Sequence, residues 1–338
     1  MTTNSQAMSI ETAASCLVEY MKADIPVFLW GAPGIGKSEV IDQVAKSLDL
    51  PVIDFRASLR DPVDLRGLPL VDAKNGSTRW LPPSELPDAK RHGERGVLKL
   101  DELNVASQAV QTACFGLVLE RRVGEYELPK GWVIVAAGNR LADRASAQRM
   151  PTALRNRFAH LEVEPSLDAW SHWASKSGVH PAVIAFVRFR PEFLHKMPEG
   201  EQNGFPTPRS WVKVAKITDA PDATRMHLVS GLIGEGPATE FEAFMRIWKQ
   251  LPSIDGIFRD PKSVHVPPMG EPAALYAVSA ALARRATKDN IAKAYEYAKR
   301  MPPEFTTLMM TDAIKRDPKL KETKAFTEWA VNAKEVTL

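Results

Sequence analysis

The chain has 338 residues, 44% hydrophobic and 25% charged, the balance of a globular protein long enough for two or three compact units. Its 44 Lys and Arg against 41 Asp and Glu leave a net charge of +3, too even to argue for nucleic acid, although a local basic patch stays open. Two cysteines without metal-type spacing (Cys16 and Cys114) imply no disulfide framework, the start MTTNSQAMSIETAASC lacks the basic and apolar parts of a signal peptide, and no apolar run approaches membrane-spanning length, so a cytoplasmic protein is expected.

Ser9 reads as the N-cap of a helix over 9–22, with Ala13, Leu17, Val18 and Met21 on one face. PVFLW (26–30) reads as a short apolar strand, and it leads into GAPGIGKS (31–38). This fits G-x-x-x-x-G-K-[ST], a phosphate-binding loop, and not merely a glycine-rich turn, because a helix with Val40, Ile41, Val44, Ala45 and Leu48 in register follows it. Gly31, Gly34 and Gly36 free the backbone to turn its N–H groups onto an anion, helped by the positive end of the helix. Gly31, Ala32, Pro33, Gly34, Ile35, Gly36, Lys37 and Ser38 are thus the expected ATP-binding residues. Lys37 reaches the β- and γ-phosphates, and Ser38 offers a hydroxyl to Mg2+.

PVIDF (51–55) reads as a second strand. Residues 56–96 read as loose structure, either functional or simply flexible, with Asn75-Gly76 as a turn between short extended pieces. GVLKLDELNVA (96–106) reads as a buried strand ending in Asp-Glu, the Walker B pattern. Asp101 is expected at the magnesium ion, through a water, and Glu102 beside the attacking water. Lys99 interrupts the apolar run and is expected to snorkel to one edge of the sheet. Cys114 falls in the following helix, 106–120, and reads as a buried thiol.

ERRVGEYELPKGW (120–132) reads as a hairpin with Gly124 near its tip. WVIVAAGN (132–139) is a third strand, and it delivers Asn139 to the carboxyl end of the sheet, beside Glu102, where Asn139 is expected to hold the attacking water. Arg155 and Arg157 precede another short strand, AHLEVE, and in isolation read as solvated charges. Beyond Pro165 the pattern is helical, with helices expected at 222–234 and 237–250, a Pro- and Gly-rich linker or extended loop over 252–272, and a helical C-terminal part over 272–300 and 310–335.

Taken together, GAPGIGKS, LKLDELN, ERRVGEYELPKGW, VAAGN, LRNRF and TPRSW resemble the AAA+ ATPases, most closely the MoxR-type branch with its helix-two insert, over residues 9–220. The resemblance implies a P-loop NTPase αβα sandwich with a parallel sheet, followed by an α-helical lid and further C-terminal helices. The expected boundaries are 1–165 for the nucleotide-binding core, 166–251 for the lid, and 252–338 for a linker and helical C-terminal region. It also implies that Asn139 is the sensor-one asparagine, Arg157 the arginine finger with Arg155 as substitute or helper, and Arg209 the sensor-two arginine.

A finger supplied by a neighbour implies a homo-oligomeric ring, hexameric by the family, with Mg2+-dependent ATP hydrolysis at shared sites. ERRVGEYELP matches the hairpin that interrupts the helix after Walker B, and DPVDLRGLP resembles the segment past the second strand; both face the ring's pore or a partner in the family. Where many relatives read Asn-Pro, this chain reads Asn139-Arg140, so Arg140 is either a phosphate-side or intersubunit arginine or a surface charge.

The function implied is chaperone-like remodelling of a protein partner, one with a von Willebrand factor A domain. A nucleic-acid motor or helicase loader is the alternative. The mixed charges of the hairpin (Arg121, Arg122 and Lys130 against Glu120, Glu125 and Glu127) do not favour it. A small-molecule kinase leaves Asn139, Arg157 and Arg209 without a role.

Overall fold

Residues 7–140, 143, 150–198, 200 and 203–335 are described by the computed structural model. Residues 1–6 of the N-terminal stretch lie outside them. The chain forms two compact units, Met1–Pro165 and Ser166–Leu338.

The first unit opens with α1 (Ile10–Lys22), capped by Ser9, whose hydroxyl accepts the Thr12 amide at 3.2 Å. Then come β1 (Val27–Trp30), α2 (Lys37–Ser47) and β2 (Val52–Arg56). Two short helices, α3 (Pro62–Arg66) and α4 (Ala89–His92), bracket an antiparallel hairpin of β3 (Leu68–Asp72) and β4 (Ser77–Leu81). After β5 (Arg95–Asp101) and α5 (Gln108–Glu120) come a small hairpin, β6 (Arg122–Val123) with β7 (Tyr126–Glu127), and then β8 (Gly131–Gly138). The unit closes with α6 (Thr152–Arg155) and β9 (Ala159–Glu162).

The main sheet is parallel, in the order β2-β5-β8-β1-β9. All five strands end at the same edge, and β1, with the phosphate loop at its tip, lies between β8 and β9. Strand alternation divides the sheet into two faces. Val27, Leu29, Val97, Val135 and Ala137 pack beneath α1 and α2, while Phe28, Leu98, Leu100, Ile134 and Ala136 pack beneath α5 and α6. Burial on both faces explains the near-continuous apolar runs of these strands.

The second unit is helical: α7 (Leu167–Lys176), α8 (Pro181–Phe189), α9 (Pro208–Ala215), α10 (Asp222–Ile233), α11 (Glu235–Lys249), α12 (Ile254–Arg259), α13 (Pro272–Arg285), α14 (Ile291–Ala298), α15 (Pro303–Arg316) and α16 (Lys324–Glu335). One core gathers around Phe186, Trp211, Phe241 and Phe244. A second gathers around Tyr297, Met309, Met310 and Leu320. Helix α13 serves both, with Ala273 and Ala277 in the first and Val278 and Leu282 in the second.

Several expectations are corrected. The 56–96 stretch is not loose: α3 carries a capping box between Asp61 and Asp64, and β3 and β4 pair over five residues each. The β6–β7 hairpin follows α5 instead of interrupting it, and the longer β3–β4 hairpin stands between β2 and β5. Lys99 does not snorkel to an edge; it is 3% exposed, and its ammonium lies 2.8 Å from Asp42 and 3.2 Å from Asp54.

The 252–272 stretch contains α12, capped by Ser253 accepting from Gly256 at 3.1 Å. The helical stretch expected over 272–300 is made of two helices, α13 and α14. There Asn290 Oδ1 accepts the Thr287 amide at 2.6 Å and its Nδ2 donates to Arg285 O at 3.1 Å, drawing the chain into a turn.

Candidate nucleotide site

The phosphate loop runs from the end of β1 into α2. Gly36, the N-cap of α2, has φ +98, a conformation that glycine adopts without a steric penalty. Lys37 is buried, and its ammonium donates to Gly31 O at 2.8 Å, Ala32 O at 2.9 Å and Asn139 Oδ1 at 3.0 Å. The loop lysine and the asparagine after β8 therefore meet, 102 residues apart in sequence. Adjacency of β1 and β8 in the sheet is what brings them together.

Asp101 points toward α2 because it shares strand parity with Val97, which packs under that helix. There its Oδ2 accepts from Ser38 Oγ at 2.8 Å. A hydroxyl and a carboxylate side by side are hard oxygen donors of the kind Mg2+ takes, so the residues fit that ion. Among the described residues no group of three or more His, Cys, Asp or Glu could hold a metal, so the fit depends on water and phosphate oxygens completing the shell.

Glu102 sits just past the strand with φ +56, a left-handed conformation that costs a non-glycine residue about 1 kcal/mol or more. Local bonds hold it there: its amide donates to Asp101 Oδ1 at 3.0 Å, and its carbonyl accepts from the Val105 amide at 2.9 Å. The turn throws the Glu102 side chain toward the end of β2, where Ser58 Oγ donates to its Oε2.

Two residues that sequence reasoning missed position this site. Asn104, fully buried, donates from Nδ2 to Asn139 O at 2.6 Å and so ties the turn after β5 to the end of β8. Gly138 makes the approach possible, since a Cβ there would lie 2.1 Å from Asn104 Oδ1. Ser58 is the second. Its place just after β2, at the carboxyl edge of a parallel sheet, is the signal that could have found it.

The arginines divide. Arg140 is committed within its own chain, to Asp143 at 3.0 Å, Glu162 at 3.1 Å and Glu164 at 3.4 Å. The hydrogen bond to Asp143, opposed by burial and seconded by Glu162, raises its pKa above the usual arginine value. Arg155 and Arg157 are exposed on the turn between α6 and β9, and neither guanidinium has a partner among the described residues. Arg209 is exposed in the first turn of α9, in the second unit.

Phosphate loop, Walker B pair and strand-end asparagine on a five-stranded parallel sheet define a P-loop nucleotide-binding protein. Residues 26–158 match the family model of the AAA domain, dynein-related subfamily. Among solved structures, the chain resembles a presumed ATPase of Cytophaga hutchinsonii at 14% identity, covering 91% of this chain and 81% of that one with a TM-score of 0.35. It also resembles the RuvB Holliday junction branch migration motor of Thermotoga maritima at 16% identity, covering 74% and 76% with a TM-score of 0.39. No helix among the described residues is long and apolar enough to cross a membrane.

Proposed function

We propose that the chain is a ring-forming, Mg2+-dependent AAA+ ATPase of the MoxR type that remodels a protein partner. The observation carrying this reading is an asymmetry in the arginines. Lys37, Ser38, Asp101, Glu102 and Asn139 converge within one unit, whereas Arg155 and Arg157 are exposed and their guanidiniums have no partner among the described residues. Exposed guanidiniums on a fixed turn suit a site completed by a neighbouring subunit.

In that reading the amides of 34–38 and the Lys37 ammonium hold the β- and γ-phosphates. Glu102 takes a proton from the attacking water as the bond from the γ-phosphorus to the bridging oxygen breaks, and Asn139 orients that water. Ser38 and Asp101 would hold the magnesium ion, which neutralises phosphate charge when bound. Arg157 from the neighbour, with Arg155 as substitute or helper, and Arg209 on the helical unit supply charge to the phosphates. A trans finger contributes about 10³–10⁵ in rate.

The working state is a cytoplasmic hexamer. The partner in this proposal is a protein with a von Willebrand factor A domain, on the motif resemblance to MoxR-type proteins. The mixed charge on the β6–β7 hairpin, Arg122 against Glu125 and Glu127, supports a protein partner over nucleic acid.

The test is subunit mixing. Arg157→Ala and Lys37→Ala are each expected to be inactive alone, and to regain turnover when mixed, because one intact shared site then forms. No recovery at any ratio would overturn the trans reading. Glu102→Gln, expected to bind ATP and hydrolyse it slowly, should retain the protein partner from native lysate.

A further inference from the structure

The residue just before the phosphate loop makes a bond that the proposed chemistry does not use. Trp30 ends β1, and its indole Nε1 donates to His160 Nδ1 on β9 at 2.8 Å. Indole nitrogen is only a donor, so Nδ1 of His160 is an acceptor and its proton sits on Nε2. That Nε2–H lies 2.7 Å from Arg155 O, at the C-terminal end of α6, and donates to it. The same carbonyl closes the turn that follows, accepting the Phe158 amide at 3.3 Å.

The turn's other anchor also leads back to β1. Phe158 is buried and meets Phe28 edge-on at 5.5 Å, and Phe28 stacks on Trp30 at 4.0 Å with the rings 21° apart. Both ends of the Arg155–Phe158 turn, which displays Arg155 and Arg157 to solvent, are thus held by β1 aromatics. On the other side of Trp30, the carbonyls of Gly31 and Ala32 accept from Lys37. A bound triphosphate competes for that ammonium, so the backbone next to Trp30 is what nucleotide binding releases.

We propose that Trp30 and His160 are positioning residues that relay the state of the phosphate loop to the Arg155–Arg157 turn, setting the arginines for the neighbouring site. The inference rests on the trans reading above for its purpose, and on the two hydrogen bonds for its mechanism. It makes one subunit's nucleotide govern the arginine it offers to the next.

The test is amide hydrogen exchange over 154–158 in the full chain, with and without a non-hydrolysable ATP analogue. The wild type is expected to show a nucleotide-dependent change in exchange at this turn. Trp30→Phe keeps the stack on Phe28 but removes the donor, and is expected to lose that change while binding the analogue with unchanged affinity. His160→Leu should behave alike, and His160→Gln, with an acceptor and a donor at its tip, should restore the response.

An unresponsive wild type, or a response retained in both Trp30→Phe and His160→Leu, overturns the relay. Should His160→Leu fail to fold, Trp30→Phe decides alone. Arg157→Ala separates the two readings: it should keep the exchange response yet lose turnover. Full turnover in Arg157→Ala would sink the trans finger and leave the relay to stand or fall on exchange.

Discussion

Ser58 donates its hydroxyl hydrogen to Glu102 Oε2, so the carboxylate expected to activate water is held by its own chain from the end of β2. A hydrogen bond to a charged group contributes about 1.5–3 kcal/mol, and it engages an oxygen that the expected attacking water would otherwise use. Ser58→Ala frees that oxygen. The expected result is basal phosphate release raised several-fold at unchanged ATP affinity. Lowered turnover in the variant would show that Ser58 aids Glu102 instead of restraining it.

Gly138→Ala is expected to be costly. The new methyl would lie 2.1 Å from Asn104 Oδ1, 2.8 Å from Asn104 Cγ and 2.8 Å from Phe28 Cζ, in a region with no free space. Overpacking of this kind costs about 1–3 kcal/mol, and the displacement falls on Asn104 and hence on Asn139. Denaturant unfolding should show the loss of stability. Steady-state kinetics should show kcat falling more than nucleotide affinity, because in the proposed chemistry Asn139 orients the attacking water and does not hold the β-phosphate.

Lys99 offers a test of charge burial. Burial alone would lower its pKa, but the hydrogen bond to Asp42 and the charge of Asp54 outweigh it, and the pKa is raised above 10.5. A raised lysine stabilises the fold fully below the unfolded value of 10.5, and that contribution disappears as pH climbs through the folded value. Stability should therefore fall above pH 10.5 more steeply in the wild type than in Lys99→Met. Replacing Asp42 and Asp54 together by Asn strands the ammonium and should cost about 3 kcal/mol at neutral pH.

The two thiols should differ in reactivity. Burial pushes the Cys114 pKa up to about 12, whereas Cys16 is only partly covered on α1. At pH 8 a maleimide is expected to label Cys16 in the native protein and to reach Cys114 only after unfolding. Mass analysis of the labelled peptides distinguishes them, and native labelling of Cys114 would mean that α5 opens readily.

What could be read from residues alone was the part set by local patterning. GAPGIGKS, the apolar runs ending in Asp101 and Asn139, and the helix after the loop all depend on spacing within one element. Ser58 and Asn104 were missed because their roles depend on which strands lie side by side, and the order β2-β5-β8-β1-β9 is not a local property. The same limit misplaced Lys99, whose partners come from α2 and β2. The break between α13 and α14 was hidden in a run that is helical in composition, because it turns on one asparagine side chain bonding to the backbone. Arg140 could not be assigned until β9 brought Glu162 beside it.

The central place of β8 has a consequence for the order in which the molecule is made. It is the fourth main-sheet strand to leave the ribosome, yet it separates β5 from β1 and pairs with both. A nascent chain that ends before Gly131 carries the whole phosphate loop and the whole Asp-Glu pair with nothing to set them side by side. Nucleotide competence should therefore arise abruptly during synthesis, once residues through Asn139 have emerged, and not when the loop itself appears. A truncation series captured on immobilised ATP would find that threshold.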